Sequence, residues 1–170
     1  MISDKMQDAM NEQMNAELYS SYLYLSMSAY FEDRNLSGFA QWMRVQAQEE
    51  LIHAMKFYTH VIDRGGRVEL KAIDLPPKEW KSPLEVFEEA YKHELKVTGL
   101  INSLVDLAQG EKDYASNSML QWFVDEQVEE EASADDIVQK LRMIKDAPAG
   151  IVMYDRGLGK RKPKLVPASD

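Results

Sequence analysis

The sequence predicts an all-α protein: a four-helix bundle with one long crossover between its second and third helices, plus a short C-terminal fifth helix. Three observations carry that prediction. Apolar residues recur at steps of three and four over four long stretches, the period of a helix with one buried face. Chain-breaking residues fall between those stretches, and Gly65, Gly66, Pro76 and Pro77 share one long segment. The polar residues that interrupt the apolar rows repeat at a single spacing.

The first helix runs from about Asp4 to Asp33 and turns Met6, Met10, Glu17, Tyr24 and Phe31 inward. A short turn at "RNLSG" leads to the second, whose inner row is Leu36, Phe39, Met43, Glu50, His53, Phe57 and Val61. Then comes "DRGGRVELKAIDLPPKEWK". So long a stretch without a period is unusual inside a compact domain, but a chain that must travel the length of a bundle needs one. About eighteen extended residues at roughly 3.3 Å each span a thirty-residue helix rising 1.5 Å per residue. The third helix opens at "SPLE", with Ser82 as N-cap, Pro83 in the first turn and Glu85 closing a capping box. Its inner row is Leu84, Phe87, Tyr91, Glu94, Ile101, Leu104 and Ala108, and Gly110 marks its end. The fourth carries Leu120, Phe123, Gln127, Glu130, Ala134, Ile137, Leu141 and Ile144. Short turns make the first and last pairs antiparallel.

Residues 1–146 are thus expected to form the bundle, and 147–170 a short fifth helix with a basic, flexible tail. "KRKPK" reads as a solvated, solubilising tail. Met6, Met10, Met27, Met43 and Met55 are expected as core fillers. Trp42 and Trp122 should pack in or beside the bundle, and His60 and His93 should be exposed.

Composition narrows the function. The 170 residues suffice for one core, and 45% hydrophobic with 29% charged residues is ordinary globular material. A net charge of -9 argues against phosphate-backbone binding, so no nucleic-acid partner is expected. There is no cysteine, so any metal must take oxygen and nitrogen ligands. The start "MISDKMQDAM" has no apolar signal core and no run approaches membrane-spanning length, so a cytoplasmic protein without a membrane partner is expected.

The interruptions of the apolar rows are the informative feature. Near mid-length the four helices carry Glu17; Glu50 and His53; Glu94; and Gln127 and Glu130. The interval from Glu17 to Glu50 equals the interval from Glu94 to Gln127. Equal steps in two hairpins with similar turns put all six groups at one level. A lone buried carboxylate costs several kcal/mol or takes up a proton, and four in one layer also repel. No lysine or arginine shares these inner rows. Two hard cations bound by carboxylate oxygens and one imidazole would resolve the conflict, and Glu-x-x-His puts two ligands on one helix face.

These residues resemble the non-haem ferritins of bacteria and archaea, within the ferritin-like di-iron carboxylate proteins. The resemblance spans "NAELYSSYLYLSMSAYF", "GFAQWMRVQAQEELIHAMKFY", "YKHEL" and "LQWFVDEQVEEEAS". Many di-iron bundles repeat Glu-x-x-His on two helices; here it stands once, with Gln-x-x-Glu on the fourth helix, which is the ferritin pattern. Leu51 occupies the position of the haem-ligating methionine of bacterioferritins, so no haem is expected.

The resemblance implies a ferroxidase centre. Glu17, Glu50 and His53 would hold one iron; Glu50, Glu94 and Glu130 would hold the second, with Glu50 bridging. Gln127 would be a hydrogen-bonding neighbour. Glu49, Glu126 and Glu129, with Glu130 shared, resemble a third iron site; read from residues alone they are a solvated acidic face. Tyr24 resembles the family's electron-donating tyrosine, and read alone is a core tyrosine. In the family the fifth helix lines a symmetry axis, and Gly157 and Gly159 would weaken it here. The implied function is iron storage: ferrous iron oxidised by oxygen or peroxide, and ferric mineral held in a cage of twenty-four subunits. The alternatives are a di-iron oxidase or peroxidase that never mineralises, a DNA-protecting mini-ferritin, or a metal-free helical scaffold, which would gain nothing from buried charge.

Overall fold

Ser3, Ser82 and Asp113 each accept a backbone N–H from three residues further on, and each opens a long helix. In the computed structural model, which describes residues 1–164, the helices are α1 (Asp4–Asp33), α2 (Ser37–Asp63), α3 (Pro83–Gly110), α4 (Tyr114–Ile144) and α5 (Pro148–Leu158). No strand occurs among the described residues. The predicted all-α bundle with its long crossover is what forms, and α5 follows α4. Glu85 departs slightly from the expected box: its carboxylate takes the backbone N–H of Lys81.

The core lies in two apolar clusters with a polar layer between them. One gathers Met27, Phe31, Phe39, Met43, Phe87 and Leu141. The other gathers Met6, Met10, Phe57, Ile101, Leu120 and Phe123. Along every long helix, the buried polar residues of the centre fall in sequence between the two sets. Met55 does not join the core; it is 48% exposed, because two residues beyond His53 a helix has turned to its far side. Trp42 is buried, whereas Trp122 is half-exposed with its edge against the His53 ring. His60 and His93 are half-buried, against expectation: each ring reaches a serine hydroxyl, His60 at Ser116 (3.0 Å) and His93 at Ser20 (2.7 Å).

The crossover is held to α1 by side chains. Asn11 donates to the Arg67 carbonyl and accepts from the Glu69 N–H, and Gln7 accepts from the Arg67 N–H. Ser26 donates to the Pro77 carbonyl, and buried Trp80 packs edge-on against Tyr30 and donates to Glu89. These contacts give an otherwise irregular segment a fixed path.

The two hairpin turns are built alike. Asn35 in the first and Lys112 in the second have φ of 57° and 56°. In each turn the next residue's N–H closes back onto the last turn of the helix, Leu36 to Phe31 and Asp113 to Ala108. Asparagine tolerates this left-handed backbone; lysine adopts it at a cost.

α2 has no cap of its own, since Leu36 offers none. Asp155 of α5 supplies it, its Oδ1 accepting the Phe39 N–H at 2.8 Å where the helix dipole favours negative charge. α5 sits so close that a Cβ on Gly38 would lie 1.7 Å from the Asp155 carbonyl oxygen. Gly157, inside α5, does not prevent the helix from forming, and Gly159 follows its end. That tertiary anchor offsets the weak propensity.

Gly38→Ala should therefore push α5 off α2, read as faster hydrogen exchange over residues 148–158 with the rest of the bundle unchanged. Asp155→Ala should destabilise by about 1 kcal/mol, as a lost N-cap does. Lys112→Gly should stabilise by about 1 kcal/mol in chemical denaturation, because it removes the left-handed penalty. The same change at Asn35 should gain less.

Candidate metal centre

Glu17, Glu50, His53, Glu94, Gln127 and Glu130 all lie in the polar layer, none more than 4% exposed. The shared level follows from the equal steps along the two hairpins and from turns of one geometry. Ligand atoms of Glu17, Glu50 and His53 come within 4.8 Å of one another, and so do those of His53, Glu126 and Glu130. Those are the clusters of that spacing among the described residues. His53 Nδ1 lies 3.2 Å from Glu50 Oε2.

Three neutral amides run through the layer. Gln13 Nε2 donates to Glu17 Oε1 at 2.8 Å. Gln46 Nε2 donates both to Glu50 Oε1 at 3.1 Å and to Glu130 Oε2 at 2.7 Å, tying α2 to α4. Gln127 Nε2 donates to Glu94 Oε2 at 3.2 Å and stands 3.2 Å from Thr98 Oγ1. Glu94 also accepts from the Tyr24 hydroxyl. Glu94 is thus drawn toward Tyr24 and Gln127 while Glu50 and Glu130 share one donor. Glu17 Oε2, by contrast, is buried without a partner. An orphaned carboxylate oxygen beside two other hard donors is what a site shaped for a cation presents.

Electrostatics point the same way. Burial, reinforced by the charge of Glu50, raises the Glu17 pKa to about 8. Burial and then the charge of Glu94 raise Glu130 to about 7. Burial lifts Glu94 to about 6 against the lowering effect of its bonds from Tyr24 and Gln127. Burial also holds Glu50 well above the carboxylate range, with the charges of Glu94 and Glu130 adding to it. Tyr24 stays a protonated donor, its pKa raised by burial and by Glu94. His93, edge-on to the Tyr24 ring, is held neutral by burial, its pKa lowered to about 4. Without a cation this layer keeps protons that exposed carboxylates would release.

Glu49, Glu126 and Glu129 lie beside the centre but are not simply solvated. Glu49 is 3% exposed, and the tail reaches all three: Arg161 pairs with Glu49, and Lys164 with Glu126 and Glu129. Within "KRKPK", Arg161 and Lys164 depart from the solvated reading, drawn to Glu49, Glu126 and Glu129, whereas Lys160 and Lys162 are exposed. Residues 165–170 of that tail lie outside the described residues. Glu131 accepts from Thr98 Oγ1 on the outer side of α4.

Sequence reasoning missed Gln13, Gln46 and Arg161. The first two carried a signal. Each stands one helical turn before a buried glutamate, and the interval between them matches that between Glu17 and Glu50. Arg161 carried none, because its partners are more than a hundred residues away in the chain.

A family model described as the ferritin-like domain matches residues 7–144, from the first turns of α1 to the end of α4. The bacterial non-heme ferritin of Bacteroides fragilis is 51% identical over 161 residues, covering 95% of this chain and 100% of the relative. That of Staphylococcus haemolyticus is 39% identical over 161 residues, covering 95% of this chain and 97% of the relative. Among solved structures, an open-pore ferritin from the hyperthermophilic archaeon Archaeoglobus fulgidus superposes with a TM-score of 0.95 at 55% identity, covering 95% of this chain and 100% of that one. A closed form of that ferritin, engineered by site-directed mutagenesis, gives the same TM-score and identity over 96% of this chain and 100% of its own. No helix here is long and apolar enough to cross a membrane. A match over all four long helices, with more than half the residues shared along nearly the whole chain, carries the expected resemblance through: the chain belongs to the ferritin family, on its non-haem side.

Proposed function

We propose that this chain stores iron: it oxidises ferrous iron at the buried carboxylate–imidazole centre and keeps the ferric product as mineral inside a hollow assembly of twenty-four copies. The observation that carries this reading is the Glu17–Glu50–His53 cluster with its unpartnered Glu17 oxygen, set in a layer of raised carboxylate pKa values. Iron is both substrate and cargo. Glu17, Glu50 and His53 would hold one ferrous ion, and Glu50, Glu94 and Glu130 the other, with Gln127 orienting Glu94. Glu50 and Glu130 accept from the same Gln46 amide, which supports a common ion between them.

The residues supply three services. The carboxylates surrender protons as the cations arrive, so charge is exchanged inside the layer. The apolar clusters on either side keep bulk water out, which strengthens each carboxylate–cation contact. Two ferrous ions release two electrons to oxygen or peroxide. Tyr24 is suited to give a further electron, since its phenolic proton has Glu94 as a ready acceptor. Glu49, Glu126 and Glu129, with Glu130, would form a third iron site next to the pair.

Size-exclusion chromatography with an iron assay after aerobic loading tests storage. A large assembly carrying many more irons than its ferroxidase sites can hold is expected; a small oligomer, or loading that stops at two per chain, overturns it. Glu130→Ala should slow ferrous oxidation by about tenfold or more, the scale of losses when a metal site is disturbed. Glu131→Ala, which removes only the bond to Thr98, should stay within about twofold. Equal damage from both would refute the helical phase assigned to α4.

Iron-free protein should melt at lower temperature as pH rises from 5 to 8. Glu94, Glu130 and Glu17 have folded-state pKa values raised to about 6, 7 and 8. Stability from such groups is complete below the unfolded carboxylate range and is lost as pH rises through the folded values. Zinc, a redox-inert stand-in, should replace the protons and raise the melting temperature more at pH 8 than at pH 5. A Glu50→Ala/Glu130→Ala variant that gained as much from zinc would show the ion acting elsewhere.

A further inference from the structure

The tail's contacts with the centre are specific and multiple. Arg161 Nη2 lies 2.5 Å from Glu49 Oε2, and the Lys164 backbone N–H donates to Glu49 Oε1 at 3.0 Å, so both oxygens of this carboxylate are taken by the tail. Lys164 Nζ reaches Glu126 at 2.5 Å and Glu129 at 2.9 Å. The Arg161 guanidinium stacks over the Trp42 ring at 4.4 Å, and its Nη1 donates to Gln46 Oε1 at 2.8 Å. That last bond has a chemical consequence. A guanidinium can only donate, so it fixes the Gln46 oxygen outward and the Gln46 amide nitrogen inward, onto Glu50 and Glu130.

We propose that Arg161 and Lys164 are resident counter-cations of the third iron site: they occupy its carboxylates while it is empty, and an incoming ion must displace them. Arg161 is at the same time a positioning residue for the ferroxidase pair, acting through Gln46. This rests on the storage reading above, since it takes Glu49, Glu126 and Glu129 as that site. The argument is one of charge and coverage. Three carboxylates beside an already acidic layer repel, and an arginine and a lysine neutralise most of that repulsion without closing the site permanently. Glu126 is the pivot: it pairs with Lys164, yet its ligand atom also lies within 4.8 Å of those of His53 and Glu130. Released from the tail, it can turn inward to a cation shared with Glu130. The third site thus fills against a competitor carried by the same chain, after the two buried positions that have none.

Calorimetric titration of the intact, iron-free assembly with zinc tests this. Wild type should bind two equivalents per chain tightly and a third weakly. Arg161→Gln/Lys164→Gln should bind the third about tenfold more tightly, the scale of the ion pairs removed, with the total still three. Lys164→Gln alone should tighten the third equivalent and leave the first two unchanged. Arg161→Gln alone should also broaden the response of the first two, because Gln46 is no longer held, and Arg161→Lys should restore wild-type competition for the third. An unaltered third affinity in the double variant overturns the proposal. Failure of wild type to bind the first two equivalents would instead overturn the storage reading beneath it.

Discussion

The structure is organised around a cost: four carboxylates and an imidazole removed from water at one level of an otherwise apolar interior. Everything near them answers that cost. The apolar core is divided in two so that the layer can exist. Gln13, Gln46 and Gln127 supply neutral donors where a lysine or arginine would have filled the space a cation needs. The remaining cost is left standing, as raised carboxylate pKa values and one unpartnered oxygen on Glu17. A layer optimised for stability alone would have replaced these groups with leucine. Retaining them makes the folded state wait for metal.

Much of this is legible in the residues. Helical periods, breakers and caps determine the bundle locally, and the equal steps place Glu17, Glu50, Glu94 and Gln127 at one height before any contact is known. What cannot be read depends on contacts distant in sequence. Asp155 caps a helix that begins more than a hundred residues earlier. Arg161 and Lys164 look like solvated charge in "KRKPK" because the carboxylates that receive them belong to α2 and α4. His93 departs from expectation because it flanks the inner row near the boundary between faces, where neighbouring helices decide exposure, and Met55 because it lies on the face opposite His53. The amides one turn before the glutamates fall between these cases, visible in the spacing yet indistinguishable by type from surface glutamine.

A deeper regularity joins the turns to the centre. The interval that separates Asn35 from Lys112 also separates Glu17 from Glu94, Glu50 from Gln127 and His53 from Glu130. The two hairpins therefore offer equivalent positions to the layer and fill them differently. One half brings an imidazole and carboxylates, and the other an amide and carboxylates. Similar backbones thus line the two sides of the layer with unlike chemistry. The amide of Gln127 donates to Glu94, whereas its counterpart Glu50 accepts from Gln46 and lies beside His53.

The seating of α5 has a metrical consequence. Asp155 is pinned at Phe39 and Arg161 at Gln46 and Glu49, so α2 serves as a ruler against which the tail is measured. From Phe39 to Glu49 a helix rises roughly 15 Å. The chain from Asp155 to Arg161 completes α5 at Leu158 and then runs on in tight turns, the N–H groups of Gly159, Lys160 and Arg161 bonding back to the carbonyls of Asp155, Gly157 and Leu158. The arginine side chain spans the remainder. The glycine that lets α5 settle against the start of α2 thereby sets where, two turns along the same helix, the guanidinium comes to rest. A displacement of a few ångströms at one end of the bundle would arrive at its middle as a change of partner.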